Sequence, residues 1–197
     1  MRVRAWLGVL MFFSGALSAS AQVGEFSLSG GVSRFGGVSL GTVLDQLGNP
    51  TSVTLDDGFR LTLRFTLNTY RFMGHEFGYA YNHSNINIAG AKNSMPVHQG
   101  FYDFLLYAMP EGARIRPFAA GGVHFSSFVP PGASIYAGNE VTKFGVNYGA
   151  GLKVRVTPIV GVRMDFREYN TGKPFNLTNQ HGRLNQMELS IGGSFLF

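Results

Sequence analysis

The chain has 197 residues and no cysteine, so it is long enough for one sizeable domain and lacks a disulfide framework. Its formal net charge is +5, but the basic residues are scattered singly and form no patch, so we expect no nucleic-acid partner. With 18 Phe, 8 Tyr and 27 Gly, the composition is unusually aromatic and glycine-rich.

The first predicted element is a secretory signal peptide over residues 1–21. Two arginines form a basic head, residues 5–17 form an apolar run, and small residues lead to a predicted cleavage site after Ala21. The apolar run is shorter than the roughly 20 residues that a membrane-spanning helix needs. We therefore expect export through the Sec pathway to the periplasm, with residues 22–197 forming one domain.

Eight segments after the signal alternate apolar and polar residues with a period of two, as in a strand with one apolar face. In residues 58–68, for example, Phe59 and Leu61 flank Arg60. A helix would instead need apolar residues at spacings of three and four. In chain order the segments read GEFSLSGGVSRF, GFRLTLRFTLN, GHEFGYAYNHS, HQGFYDFLLYA, RPFAAGGVHFSSF, KFGVNYGAGLKVRV, VGVRMDFREY and MELSIGGSFLF.

The connections between these segments alternate between long and short. This alternation predicts an up-and-down antiparallel barrel with loops at one end and tight turns at the other. Both ends of the chain then lie on the side of the tight turns, which faces the periplasm in a bacterial outer membrane. The predicted long loops are residues 36–57, 85–96, 129–140 and 170–182.

The polar face carries six basic and four acidic residues among Gly and Ser. A soluble barrel would have to enclose the Phe and Leu rows of all its strands, which an eight-stranded interior can barely hold. Lipid accommodates that bulk, and opposite charges can pair across a narrow lumen. We therefore predict an all-β, eight-stranded antiparallel transmembrane barrel. Its predicted lumen charge network is Arg60, Arg64, Glu76, Asp103, Lys143, Lys153, Arg163, Asp165, Arg167 and Glu188.

Aromatic residues commonly anchor a membrane protein at the two lipid–water interfaces. The single Trp lies in the predicted signal peptide, so an interfacial belt must use Tyr and Phe. The candidates for this belt are Tyr70, Phe72, Tyr102, Tyr107 and Tyr169.

The last predicted strand ends on Phe197, after alternate apolar positions that include Phe195 and Ile191 and are interrupted by Gly193. With the signal peptide, the strand repeat and the loop asymmetry, this ending resembles the small outer-membrane barrels of diderm bacteria, such as the OmpA transmembrane domain and OmpX-type proteins. The resemblance implies contact with outer-membrane lipid. It also implies that Ile191, Phe195 and Phe197 form the signal read by the barrel assembly machinery.

We expect a monomer without metal or cofactor, with a structural, surface-contact or adhesion role through its long loops. Two alternatives stay open. A lipid-modifying enzyme is one, because His124 and Ser126 share a strand face and are similar in spacing to the His and Ser of lipid A deacylases; the sequence places no acidic residue beside His124. The other is a small-solute porin with a water path past Arg60 and Glu188.

Overall fold

Eight long strands close into an antiparallel barrel in the computed structural model of the protein, which describes residues 23–45 and 47–197. The predicted signal peptide, residues 1–21, lies outside this range. Two shorter strands form a hairpin at one end of the barrel. The strands are β1 (Val23–Arg34), β2 (Ser39–Leu44), β3 (Pro50–Leu55), β4 (Gly58–Tyr70), β5 (Met73–Ile88), β6 (Ala91–Tyr107), β7 (Ile115–Phe128), β8 (Val141–Arg155), β9 (Val160–Gly172) and β10 (Arg183–Leu196).

The barrel strands pair in order around the ring, and β1 pairs with β10 to complete it. The register of this seam runs from Glu25 opposite Leu196 to Arg34 opposite Met187. Closure gives every barrel strand two neighbours, so no unpaired backbone edge meets lipid. The prediction of an all-β, eight-stranded antiparallel barrel is confirmed.

The two faces of the barrel wall differ in polarity as the sequence pattern predicts. In β4, Phe59, Leu61 and Leu63 are exposed on the outer surface, whereas Arg60 and Arg64 are buried in the lumen. The period of two along a strand produces this division directly. Within the described residues, no helix is both long and apolar enough to cross a bilayer.

The predicted aromatic belt is partly wrong. Tyr107 and Tyr169 occupy inward positions and are buried in the lumen, where each hydroxyl bonds a charged side chain. Tyr70 and Phe72 are exposed at the turn between β4 and β5, and Tyr102 is partly exposed on the outer wall. An aromatic residue near a strand end therefore faces lipid only where the alternation points it outward.

Two of the four predicted long loops are largely strand. Residues 36–57 contain the β2–β3 hairpin, which continues the barrel wall because β3 pairs with the far end of β5. Across residues 85–96, β5 and β6 continue to a turn at Ala89 and Gly90, which have positive φ angles of 52° and 82°. The alternation of Asn and Ile over residues 85–88 is a strand pattern. The sequence analysis missed it because the segment is also rich in Gly and Asn, which favour loops.

The asymmetry between the two ends of the barrel nevertheless holds. At the hairpin end, residues 129–140 connect β7 to β8 and include a short 3-10 helix at Ile135–Ala137, and residues 173–182 connect β9 to β10. At the opposite end, which we call the turn end, the connections are short. Gly24 and Phe197 lie there and exchange two backbone hydrogen bonds of 2.9 Å.

Candidate functional site

Eight charged side chains fill the middle of the barrel, and each is only 0–1% exposed. Four are arginines and four are carboxylates, so their formal charges cancel. We call this set the central charge network: Arg60, Arg64, Glu76, Asp103, Arg163, Asp165, Arg167 and Glu188. Each residue occupies an inward position of its strand. The alternation of side chains between the two faces of a strand is therefore enough to place it in the lumen.

The part of the network nearer the turn end is built from forked arginine contacts. Arg163 donates to Asp165 through Nε and Nη2 at 2.7 and 2.8 Å, and its Nη2 also donates to Glu76 Oε1 at 2.9 Å. Arg167 donates to the same Glu76 oxygen at 3.0 Å and also hydrogen-bonds Asp103. Such charge-assisted, two-pronged bonds are about twice as strong as neutral ones and fix the orientation of both partners. They therefore link β5, β6 and β9 across the lumen.

The part nearer the hairpin end centres on Glu188. Arg64 Nη2 donates to Glu188 Oε1 at 2.6 Å, and Arg60 Nε lies 3.0 Å from Oε2. The Tyr169 hydroxyl donates to Oε2 at 2.9 Å. Arg64 Nη1 also lies 3.8 Å from Asp165 Oδ2, so the two parts form one continuous network.

Aromatic rings fill the space beside the guanidinium groups. Arg60 lies over the Tyr169 ring, 4.6 Å from its centroid, and Arg163 lies over the Phe118 ring at 4.9 Å. A ring face attracts a cation and at the same time excludes water from it. The network is therefore packed by apolar surface, and its charges depend on each other for stabilisation.

The structure adds Glu25 to the predicted lumen network and leaves Lys143 outside it. Lys153 lies near the turn end, where its Nζ donates to Glu25 at 2.6 Å. Glu25 was missed, although it alternates with Phe26 in the first strand segment. Lys143, which was predicted to belong to the network, lies near the hairpin end of β8 and forms no ion pair with any described residue. An inward position is thus insufficient to make a charged residue part of the network, because a residue of opposite charge must also lie at the same height in the barrel.

Three buried amides form a closed ring above the charges, towards the hairpin end. Asn82 Nδ2 donates to Gln99 Oε1 at 3.1 Å, Gln99 Nε2 donates to Gln186 Oε1 at 2.7 Å, and Gln186 Nε2 donates back to Asn82 Oδ1 at 3.2 Å. Arg60 Nη1 donates to Asn82 at 3.0 Å and joins this amide layer to the charge network. The sequence analysis missed this layer, because Asn and Gln at inward strand positions look the same in a sequence as any other polar residues.

An apolar cluster closes the lumen beyond the amide layer. The β2–β3 hairpin contributes three of its residues, and the inner faces of β5, β6 and neighbouring elements contribute the others. Phe175 and Leu177 of the connection between β9 and β10 pack against it. We call this cluster the apolar cap: Phe35, Leu40, Val53, Leu55, Ile86, Met95, Val97, Phe128 and Leu184.

His124 and Ser126 lie on the inner face of β7 but do not form a hydrogen bond with each other. The Ser126 hydroxyl accepts from Gln99 Nε2 at 2.8 Å, and neither His124 ring nitrogen has a hydrogen-bond partner among the described residues. The His124 ring packs edge-on against Tyr169, with centroids 5.2 Å apart. The structure therefore lacks the nucleophile–base contact that the enzyme hypothesis needs. Nor do the described residues include a group of three or more potential metal ligands.

The three residues predicted as an assembly signal share the outer face of the end of β10. Ile191, Phe195 and Phe197 are all exposed there. The Phe197 ring stacks on Phe195 at 6.2 Å and on Phe65 of β4 at 6.4 Å. The residues thus form one apolar row accessible from outside the barrel, and their role in assembly stays a prediction.

A closed eight-stranded barrel with an apolar outer wall and a charged, filled interior is the architecture of small outer-membrane proteins. The chain belongs to the outer membrane protein beta-barrel domain family, whose model matches residues 6–197. This membership locates the protein in the bacterial outer membrane. Outer-membrane barrels have their short turns on the periplasmic side, so we expect the turn end to face the periplasm and the hairpin end to face outward.

Solved structures of outer-membrane barrels share this fold. The outer membrane protein OprG of Pseudomonas aeruginosa aligns with a TM-score of 0.63 at 15% identity, over 90% of this chain and 96% of that one. Neisserial surface protein A aligns with a TM-score of 0.58 at 15% identity, over 90% and 98%. The N-terminal barrel of Pseudomonas aeruginosa OprF gives 0.56 at 11% identity, over 89% and 97%. No curated protein sequence matches significantly.

Neutralising one member of the central charge network should strongly destabilise the barrel. Glu76→Gln leaves Arg163 and Arg167 with a neutral partner, and breaking a buried ion pair in this way costs about 3–5 kcal/mol. Denaturant unfolding in lipid vesicles, followed by circular dichroism, measures this loss. The matched control is Glu168→Gln on the outer wall, which should change stability by about 0.5 kcal/mol or less. Equal effects of the two substitutions would contradict the network's structural role.

Proposed function

We propose that this protein is a non-conducting barrel of the outer membrane that acts at the cell surface through its hairpin end. The observation that carries the proposal is the filled lumen, in which the central charge network lies beneath the amide layer and the apolar cap. A solute pore needs a continuous water path, whereas an eight-stranded barrel is narrow enough for side chains to fill. The filled interior therefore supports a structural role for the barrel, in which contact with other molecules is made by its outer surface.

One part of that surface is the turn of the β2–β3 hairpin, which we call the apex (Leu44, Asp45 and residues 47–49). Leu44 and Leu47 are 70% and 86% exposed, so two large apolar side chains point into solvent. The hairpin beneath them is anchored, since Thr42 donates its backbone N–H to the Thr178 carbonyl at 2.8 Å. An anchored apolar tip is suited to contact with another apolar surface.

Hydrogen bonds to a carboxylate keep the apex ordered. The Asp45 carboxylate accepts from the backbone N–H groups of Asn49 and Leu47, both at 2.8 Å. These bonds, with that from Asn49 the largest cause, lower the pKa of Asp45. Because the folded pKa is lowered, the ordering is present above the unfolded value and is lost as pH falls through the folded pKa.

The porin alternative is tested by single-channel recording in a planar bilayer. The refolded protein should insert without producing resolved current steps, because the arginines and carboxylates that occupy the lumen are fully buried. A porin recorded in the same bilayer serves as the positive control. Reproducible steps from the unmodified protein would overturn the proposal of a non-conducting barrel.

The surface role is tested by attachment of cells that produce the protein to an apolar surface. The double substitution Leu44→Ser with Leu47→Ser should reduce attachment severalfold at equal surface abundance, because it removes the exposed apolar side chains of the apex. Val38→Ser, at the base of the same hairpin, is the matched control and should leave attachment unchanged. Attachment that is unaffected by the double substitution would rule out the apex as the contact surface.

A further inference from the structure

A groove lies on the outer wall of the barrel, at the hairpin end of the seam between β1 and β10. Its volume is about 240 Å³, and it crosses β1, β10 and β9, which are neighbours in the wall. We call it the seam groove. The residues that line it from outward strand positions are Val32, Arg34, Phe166, Met187 and Leu189.

The floor and sides of the seam groove are apolar. Its four apolar side chains are 43–61% exposed: Val32, Phe166, Met187 and Leu189. They alternate with buried lumen residues, such as Glu188 between Met187 and Leu189, so they lie on the lipid side of the wall. In the strand register, Leu189 lies opposite both Val32 and Phe166. A hydrocarbon chain in the groove therefore contacts side chains of three strands at once.

Arg34 forms one end of the seam groove, at the level where the apolar wall stops. Along β1 the outward residues Leu28 and Val32 are apolar, and Arg34 follows them. On β10 the outward residue beyond Met187 is Asn185. A change from apolar to polar side chains marks the boundary of the bilayer, where lipid headgroups lie. A cation beside an apolar groove at this boundary matches a lipid with an acyl chain and an anionic headgroup.

The Arg34 guanidinium is accessible to such a headgroup. Its side chain is 69% exposed, and its one ion pair with a described residue is a long contact of 4.0 Å from Nε to Asp57 Oδ2. The other oxygen of Asp57 accepts the backbone N–H of Phe35 at 2.8 Å, so Asp57 is held in place by a second bond. Exposed ion pairs of this kind are weak. A phosphate can therefore bind Arg34 without breaking a strong contact.

The other carboxylates near the seam groove do not compete for Arg34. Glu188 borders the groove through its strand, but its carboxylate lies in the lumen, where it binds Arg64. Glu168 is opposite Met187, which is in turn opposite Arg34. It therefore lies two strands from Arg34, roughly 10 Å away at the usual strand spacing. The positive charge of Arg34 is thus available to an anion.

We propose that the seam groove binds an anionic lipid of the outer leaflet. The lipid phosphate accepts hydrogen bonds from the Arg34 guanidinium, and one acyl chain lies along Val32, Phe166 and Leu189. The assignment rests on the outer-membrane location and on the outward orientation expected for the hairpin end. It is independent of the role proposed for the apex, because no apex residue lines the groove, and either proposal can fail alone.

Native mass spectrometry of the purified barrel tests the proposal, with dioctanoyl phosphatidylglycerol titrated into a nonionic detergent. The adducts should saturate at one lipid per barrel. Arg34→Gln should weaken binding by about fivefold, because a positive charge at the membrane surface is lost. Lys92→Gln is the matched control and should leave affinity unchanged. Lys92 is also an exposed basic residue of the hairpin end, paired with Asp56 at 2.7 Å, but it lies outside the groove.

Two further variants test each half of the site separately. Asp57→Asn removes the carboxylate that competes for Arg34 and keeps an amide oxygen for the Phe35 N–H, so affinity should rise by about twofold or more. Leu189→Ser should weaken binding severalfold, because the acyl chain loses an apolar contact. Leu63→Ser, on the outer face of β4 and outside the groove, should not.

Two further ligands separate the possible sources of the anion. Inorganic phosphate should bind much more weakly because it has no acyl chain, and dioctanoyl phosphatidylcholine should bind more weakly because its headgroup has no net charge. Heat-modifiable gel migration confirms that each variant is folded, and the two hairpin-end variants decide the outcome if Leu189→Ser fails to fold. The proposal is overturned by adducts that increase without saturation, by equal affinity for phosphatidylcholine, or by equal losses in Arg34→Gln and Lys92→Gln.

Discussion

Pairing of opposite charges inside a closed wall is the constraint on which the rest of this structure depends. Four guanidinium groups and four carboxylates share a space that is shielded from water, so each charge is tolerable only because its partners are in place. The pairs join strands far apart in sequence, as Arg64 and Glu188 do across the β1–β10 seam. The same side chains that stabilise the barrel also occupy its lumen.

The barrel could be predicted from the sequence because its main signal is local. Alternation such as Phe59, Arg60 and Leu61 marks both the strand and the direction of each face within a few residues. Membership of the charge network was harder to predict, because it depends on height within the barrel. Lys143 and Lys153 both point inward on β8, yet only Lys153 lies level with an acidic partner, Glu25 on β1. That match is set by the register between distant strands.

The hairpin end departed furthest from the sequence prediction, for a related reason. Residues 36–57 are rich in the residues that favour turns, and their strand character arises from pairing of β3 with the extension of β5. Once the hairpin forms, Leu40, Val53 and Leu55 complete the apolar cap. The cap cannot be predicted from any single segment, because its residues come from several strands.

The wall of the barrel is apolar outside, and its lumen is filled by side chains. Methyl NMR of the protein in lipid nanodiscs tests it directly, with a nitroxide-labelled lipid and, separately, a water-soluble gadolinium chelate. The lipid probe should broaden the methyl signals of Leu63 and Leu189, while neither probe should broaden those of Leu105 and Leu184. Broadening of Leu184 by the chelate, or protection of Leu63 from the lipid probe, would contradict the account.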